Sequence, residues 1–537
     1  MKPAVLVPAL VLLAAVAGAP AWAQSVVPKG VQLHARQELL RSNAVEPESL
    51  DPAQSETINS AAIVLDLFEG LTATDNGGRI VPGVALSWKQ TNPKTWLFAL
   101  RKDARFSNGD PVTAADFVYA WQRFVDPKTA SVYATTFGQF LLNGNEVAAG
   151  KKPPTELGVK ALDPYTLEVR TSVPVPYMPG LVANPQFCPL HKASLEKAGK
   201  DWTKPGNMVG NGAYVLKEAR VNARIVLEKN PKYWDAANVN LTKVTYLPIE
   251  DPNADVKMFQ SGESDWVAQL PPGTYDGLKA AYPQDIRNTP LLANRFYPLN
   301  NSDPLLKDVR VRKALSMVID RDVLAAKVTA DGQLPLYGLM VKGLSGAEVS
   351  NYDWAAWPMA QRVAEAKKLL AAAGVAPGTK LHLSYNTSDY HKRMAIFIAS
   401  EWKTKLGLEV SMDNMELKVL VKKMHDGEFQ IARYGWYADY NDATSFYTLV
   451  KCADDQNFNR NCNKKADELV DQANQLDDPA KRTAQITQAA KLVMEDYPFI
   501  PLLQNTLPRL VKSYVGGYDE RNALARFRSR DLYIIKH

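Results

Sequence analysis

The 537-residue chain sets 63 Lys and Arg against 57 Asp and Glu, a formal charge of +6 at pH 7. That near-balance, without any dense Lys/Arg run, argues against nucleic acid as a partner. The length is enough for two or three domains rather than one.

The N-terminal "MKPAVLVPALVLLAAVAGAPAWAQ" has one lysine, an apolar run from Ala4 to Ala17, and small residues at Ala21 and Ala23 flanking Trp22. This pattern predicts a secretory signal over residues 1–23 with cleavage before Gln24, its apolar core too short to span a bilayer. No second long apolar run follows, and no Cys stands just after the cut. The expected product is therefore exported, soluble and without a lipid anchor, its formal charge lowered to +5 by loss of Lys2.

In "FSNGDPVTAADFVYAWQRFVDP" a turn precedes a helix opened by Thr113, with Asp116 three residues on in a capping-box pattern. Around it, "WLFALRKDARF" and "YTLEVRTSVPV" read as short strands, so this region is expected to be a mostly antiparallel α+β insertion. "VGNGAY", Val209 to Tyr214, lacks the last glycine of a dinucleotide loop and reads as a turn entering a strand. Further on, "AQRVAEAKKLLAAAG" predicts a helix with Val363, Ala366, Leu370 and Ala373 on one side and Gly374 at its end. "TKLHLSY" places Leu381, Leu383 and Tyr385 on one face of a strand. A helix follows from an N-cap at Ser388, striped by Ala395, Ile398, Trp402 and Leu406 and stopped by Gly407; "LEVSMDN" is the next strand. Strand, helix and strand in this rhythm imply a parallel βαβ unit.

"ARYGWYADYNDATSF", Ala432 to Phe446, sets Arg433, Asp439 and Asp442 among aromatic rings. Asp439 has two readings: a turn or cap residue beside a packed cluster, or a cleft carboxylate awaiting a cation that arrives with a ligand. Of the three cysteines, Cys452 and Cys462 are placed to close the polar loop "CADDQNFNRNC" in an oxidising compartment. Cys188 has no evident partner and reads as a small buried hydrophobe.

Reagents for catalysis are missing: there is no His-Glu-x-x-His helix, no Gly-x-Ser-x-Gly elbow and no phosphate loop. The six histidines show no metal-ligand spacing, so no metal and no cofactor are expected. A Ser-His-Asp constellation assembled from distant loops stays open, because such triads are spatial. Binding chemistry is better represented. His391 falls near the start of the helix capped by Ser388, beside Lys392 and Arg393, where it is either part of a solvated polar helix start or an anion site. Together with Asp439 it suggests a ligand with one positive and one negative end, as in a peptide. An extended tripeptide spans roughly 10 Å, and a strand edge can meet its backbone.

The chain resembles the periplasmic oligopeptide-binding proteins of ABC importers, the family 5 solute-binding proteins. The resemblance runs in order through "NAVEPESLDP", "DLFEGL", "FSNGDPVTAADFVYAWQRFVDP", "GNGAYVLKEARVNARIVLEKNPKYWD", "DVRVRKALSMVIDRDVL", "YNTSDYHKRMAI", "GWYADYNDATSF" and "LYIIKH". It implies an α/β fold of two lobes joined by a hinge, with an additional α+β domain. Lobe I would comprise residues 24–68, 193–292 and 507–537, the additional domain 69–192, and lobe II 293–506. By the same resemblance, Asp439 pairs with a peptide ammonium, and Arg433, Gly435 and Tyr437 lie along the strand that meets the peptide. Trp436 is a pocket wall and His391 takes the carboxylate of longer peptides. Glu56 and Ile58 face the ligand backbone from the first lobe, and Tyr133 reaches the cleft from the additional domain.

Departures from the best-known enteric member bear on specificity. A glutamate becomes Pro298, a lysine Thr329 and an arginine Met424. Two aromatic pocket walls become Leu417 and Asn505, and a lobe-bridging cysteine pair becomes Ala293 and Tyr437. The resemblance implies a monomeric periplasmic receptor, not an enzyme, that delivers short peptides to an inner-membrane ABC permease. The alternatives are a murein-peptide receptor of the same family, a periplasmic peptidase, and a sensor that feeds no transporter.

Overall fold

The computed structural model describes residues 27–438, 440–452, 454–476 and 478–537. The expected signal segment 1–23 and Asp439 lie outside the described residues. Among those residues no helix is long and apolar enough to cross a membrane. Helices and sheets form two lobes joined through a central sheet, with the α+β insertion seated on the first lobe.

The first lobe is built on a four-stranded sheet, Glu38–Ser42, Lys243–Leu247, Arg224–Lys229 and Tyr214–Arg220, in that spatial order. Helix Ile58–Leu67 packs Ile63, Val64 and Leu67 into its core. The "GNG" turn runs against the end of this helix: a Cβ on Gly212 would stand 2.5 Å from the Asp66 carbonyl oxygen. Close backbone approach, rather than a phosphate, is what requires glycine there.

The insertion holds an antiparallel four-stranded sheet, Ala85–Asn92, Thr95–Leu100, Thr166–Arg170 and Val159–Asp163. Its helix Ala114–Val125 opens with the expected box, the Thr113 amide and hydroxyl each donating to Asp116 Oδ2 at 2.8 Å. Phe117, Ala120, Trp121 and Phe124, spaced for one helical face, are buried in a core continuous with that of the first lobe.

The second lobe contains the βαβ unit. Strands Lys380–Asn386 and Glu409–Met415 are parallel, joined by helix Asp389–Leu406, and Ile431–Ala432 adds a third parallel strand. Ala395, Ile398, Trp402 and Leu406 are buried as the stripe predicts, and Gly407 ends the helix at φ 73°. Ser388 is at the N-cap, but its side chain makes no capping bond. The preceding helix spans Met359–Ala372 and buries Ala366 and Leu370.

Two strands of unusual length, Ile286–Pro298 and Phe499–Leu510, run side by side through the central sheet. Their ladder pairs Ile286 with Leu510 at the first-lobe end and Pro298 with Phe499 at the second-lobe end. It breaks register between Pro290 and Asn294, where Leu291, Leu292 and Ala293 face the single residue Asn505. Tyr434–Tyr437 and Leu334–Pro335 complete this sheet.

Arg321 anchors the second lobe to it. The side chain is fully buried and donates to the carbonyls of Ser316, Ile319, Leu336 and Pro501 and to the Ser316 hydroxyl. Cys452 and Cys462 form a disulfide, and Cys188 is free and buried. Arg321→Ala would orphan those acceptors and open a cavity. The expected loss is about 3 kcal/mol of stability, read as a lowered midpoint of the second lobe in calorimetry. An unchanged melt would show that the carbonyls find water instead.

Candidate functional site

Strand Tyr434–Tyr437 lies at the edge of the central sheet. It pairs antiparallel with the long strand so that Gly435 opposes Arg295, Trp436 opposes Asn294 and Tyr437 opposes Ala293. Its other edge carries no strand among the described residues, leaving backbone groups available to an added strand. Side chains alternate across the strand. Tyr437 turns into a hollow of about 190 Å³, and Trp436 lines a larger space of about 1220 Å³ between the insertion and the second lobe. Gly435 has tight surroundings: a Cβ there would meet Asn294 O at 2.9 Å and Arg295 Nη1 at 3.0 Å.

Glu56, Ile58, Tyr133 and Tyr437 all line the smaller hollow. The Tyr133 hydroxyl donates to the Glu56 carbonyl at 3.3 Å, linking the insertion to the first lobe. Asn505 is at the register break, where its Nδ2 donates to the Tyr437 hydroxyl at 2.8 Å. Ala293 and Tyr437 face each other within the central sheet.

Arg433 and His391 come together at a second place, with Arg295. Arg433 is 5 % exposed, and only its Nη1 finds an acceptor, Asn386 Oδ1 at 3.1 Å. Among the described residues its Nε and Nη2 are buried without partners, as are Arg295 Nε, His391 Nδ1 and the Tyr297 hydroxyl. Arg295 lies over the rings of Tyr390 and Tyr437 at 5.9 and 5.8 Å and meets no carboxylate within 4.0 Å among the described residues. Burial, together with Arg295, lowers the Arg433 pKa to about 10, still protonated at neutral pH. Burial and then the two arginines push His391 down to about 3.

Several other buried arginines of this protein meet a carboxylate. Arg482 grips both oxygens of Asp442 at 2.7 and 2.8 Å, and Arg530 and Arg528 converge on buried Glu69. Asp442, one of the acids in the aromatic stretch, is thus a structural partner. A buried cation left bare is costly, which makes the Arg433–Arg295 pair a candidate place for an anion that is not part of the chain.

Leu417 begins helix Leu417–Asp426, stands 45 % exposed and lines neither of these two hollows. Arg295, Tyr390 and Arg526 escaped the sequence reading. The signal for Arg295 was a lone charge inside the apolar strand "LLANRFYPL". Among the described residues no group of three or more His, Cys, Asp or Glu side chains could hold a metal ion.

Residues 79–458 match the family model "Bacterial extracellular solute-binding proteins, family 5 Middle". The chain belongs to this family. It is 44 % identical to the "Periplasmic oligopeptide-binding protein OppA" of Escherichia coli K12, over 99 % of this chain and 98 % of that one. Among solved structures, OppA of Burkholderia pseudomallei is 49 % identical and superposes with a TM-score of 0.72, covering 94 % of this chain and 100 % of that one. A structure described as "MppA Periplasmic Murein Tripeptide Binding Protein, Unliganded Open Form" is 39 % identical, yet superposes at 0.90 over 95 % of this chain and 99 % of that one. The less similar sequence gives the better superposition, so this family 5 protein shares the lobe arrangement of that open form.

The depressed His391 has a measurable consequence for this solute-binding protein. Its imidazole is held below the ordinary 6.5, down to about 3, so between those pH values the unfolded chain binds a proton that the folded one refuses. This group's contribution to stability is full above pH 6.5 and falls as pH drops towards 3. In an NMR titration of the free protein, the His391 ring proton should not shift between pH 8 and about 5. A midpoint near 6.5 would mean that Arg433 and Arg295 do not act on it.

Proposed function

We infer that this protein is a periplasmic receptor that encloses short oligopeptides between its lobes and delivers them to the permease of an inner-membrane ABC importer. The observation that carries this reading is the bare Arg433–Arg295 pair at one end of a strand whose outer edge is free. A peptide supplies what that arrangement lacks: a carboxylate for the guanidinium groups and a backbone that can extend the sheet. The names of similar proteins, an oligopeptide-binding protein among them, support the same class of ligand.

In this reading Asp439 takes the ligand ammonium. Gly435 and Tyr437 meet its backbone, with Trp436 as a wall, while Glu56, Ile58 and Tyr133 approach from the other side. Asn505 holds Tyr437 in place, and Arg433 with His391 receives the C-terminal carboxylate. The arriving carboxylate would raise the His391 pKa from its depressed value by adding an opposite charge. The lobes are residues 24–68, 193–292 and 507–537 for the first and 293–506 for the second, with 69–192 as the additional domain. Closure is a hinge motion about the register break near Leu291–Ala293 and Asn505. The protein works as a monomer, without cofactor and without turnover, after export and removal of residues 1–23.

Native mass spectrometry of protein from its own periplasm tests the ligand class directly. A mixture of released peptides of three to five residues is the expected result. A single mass containing diaminopimelate would instead assign a murein peptide, and cleaved products would assign a peptidase. Asp439→Ala should weaken binding of a free peptide by about 2–5 kcal/mol in calorimetry. N-acetylated peptides binding wild type as tightly as free ones would remove Asp439 from this role.

A further inference from the structure

The hollow beneath Tyr437 contains a cation that the peptide reading does not use. Arg526 lines it from the C-terminal segment, opposite Ser55 and Asn184. Among the described residues the Arg526 guanidinium makes no hydrogen bond and no ion pair, whereas Arg528 and Arg530, just beyond it, both reach Glu69. Burial lowers the Arg526 pKa to about 10, which still leaves it protonated at neutral pH.

Two further polar atoms at this hollow lack partners. Ser55 and Asn184 are each 2 % exposed, and neither Ser55 Oγ nor Asn184 Oδ1 is hydrogen-bonded. The Asn184 amide nitrogen is already committed to the Leu181 carbonyl at 2.8 Å, so its oxygen is the atom left seeking a donor. Gln186, also at the wall, donates to the Ser55 backbone carbonyl at 2.6 Å and leaves the hydroxyl free. Glu56 is the acid of the lining, but its side chain is exposed and lies beyond ion-pair distance of Arg526.

The wall therefore offers a cation beside a volume of about 190 Å³, with the Ser55 hydroxyl and the Asn184 carbonyl oxygen sealed within it. At ~30 Å³ per water, that is space for several waters or one acyclic side chain. The carboxylate of an aspartate or glutamate side chain fits such a hollow as the counter-ion Arg526 lacks. We propose that this hollow is a subsite for an acidic side chain of the bound peptide, and that Arg526 is the residue that selects it. The proposal rests on the peptide-receptor reading and adds a preference that main-chain recognition alone would not give.

Calorimetric titration with trialanine and with tripeptides carrying Glu or Gln at each of the three positions tests it. At one position the Glu peptide should bind about tenfold more tightly than its Gln counterpart, as a charge-assisted hydrogen bond replaces a neutral one. That Glu-to-Gln ratio should fall to about one in Arg526→Gln and be largely kept in Arg526→Lys. Glu peptides binding no better than Gln peptides at every position of the wild-type protein would overturn the proposal, with no variant needed. An Arg526→Gln protein that weakens all peptides equally would overturn it too, assigning Arg526 to Glu56 in the closed form. Trialanine keeps the two claims apart. If it binds, the receptor reading stands whatever the ratios show; if no tripeptide binds, that reading fails and this subsite fails with it.

Discussion

Everything at the cleft hangs on one backbone ladder, the pairing of Ile286–Pro298 with Phe499–Leu510. These strands belong to both lobes at once, so their hydrogen bonds set where one lobe is relative to the other. The ladder is regular at its ends and irregular in its middle, where Leu291, Leu292 and Ala293 oppose Asn505. A register break between two regular stretches of one ladder concentrates bending there. The side chains of this stretch border the hollow under Tyr437, so a change in lobe angle alters the shape of the site directly.

The second theme is where the protein leaves charge unanswered. In its core several buried arginines are held by the chain's own acceptors, by carbonyls around Arg321, by Asp442 at Arg482 and by Glu69 at Arg528 and Arg530. Along the cleft Arg433, Arg295 and Arg526 form no ion pair among the described residues, and Arg433 and Arg295 keep bare guanidinium nitrogens. Desolvated cations without counter-ions raise the energy of the empty protein. A ligand carboxylate relieves that cost only by binding, which converts stored electrostatic free energy into affinity.

Much of the fold was legible because its periodicities are clean. Leu381, Leu383 and Tyr385 alternate, and Ala395, Ile398, Trp402 and Leu406 repeat at helical spacing, so the parallel βαβ unit follows from local pattern. The capping box at Thr113 was equally local. The site was legible only where neighbours in sequence are neighbours in space, as along Arg433 to Tyr437. Arg295 and Arg526 are single charges whose meaning lies in acids they do not meet, and that absence involves strands hundreds of residues apart. Asp442 misleads for the same reason: its partner Arg482 is 40 residues away on another helix. Leu417 shows the converse, since a position matched by resemblance can stand at a helix start and face solvent.

The account's central claim is that Arg433 and Arg295 are kept bare for the carboxylate of a bound peptide. The most direct measurement is calorimetric titration with one alanine tetrapeptide as the free acid and as its C-terminal amide, otherwise identical. The free acid should bind, and the amide should lose about tenfold or more, since it leaves the buried Arg433 and the neighbouring Arg295 without their anion. Equal affinities would contradict the claim, because the arginine pair would then answer to something other than the end of the peptide.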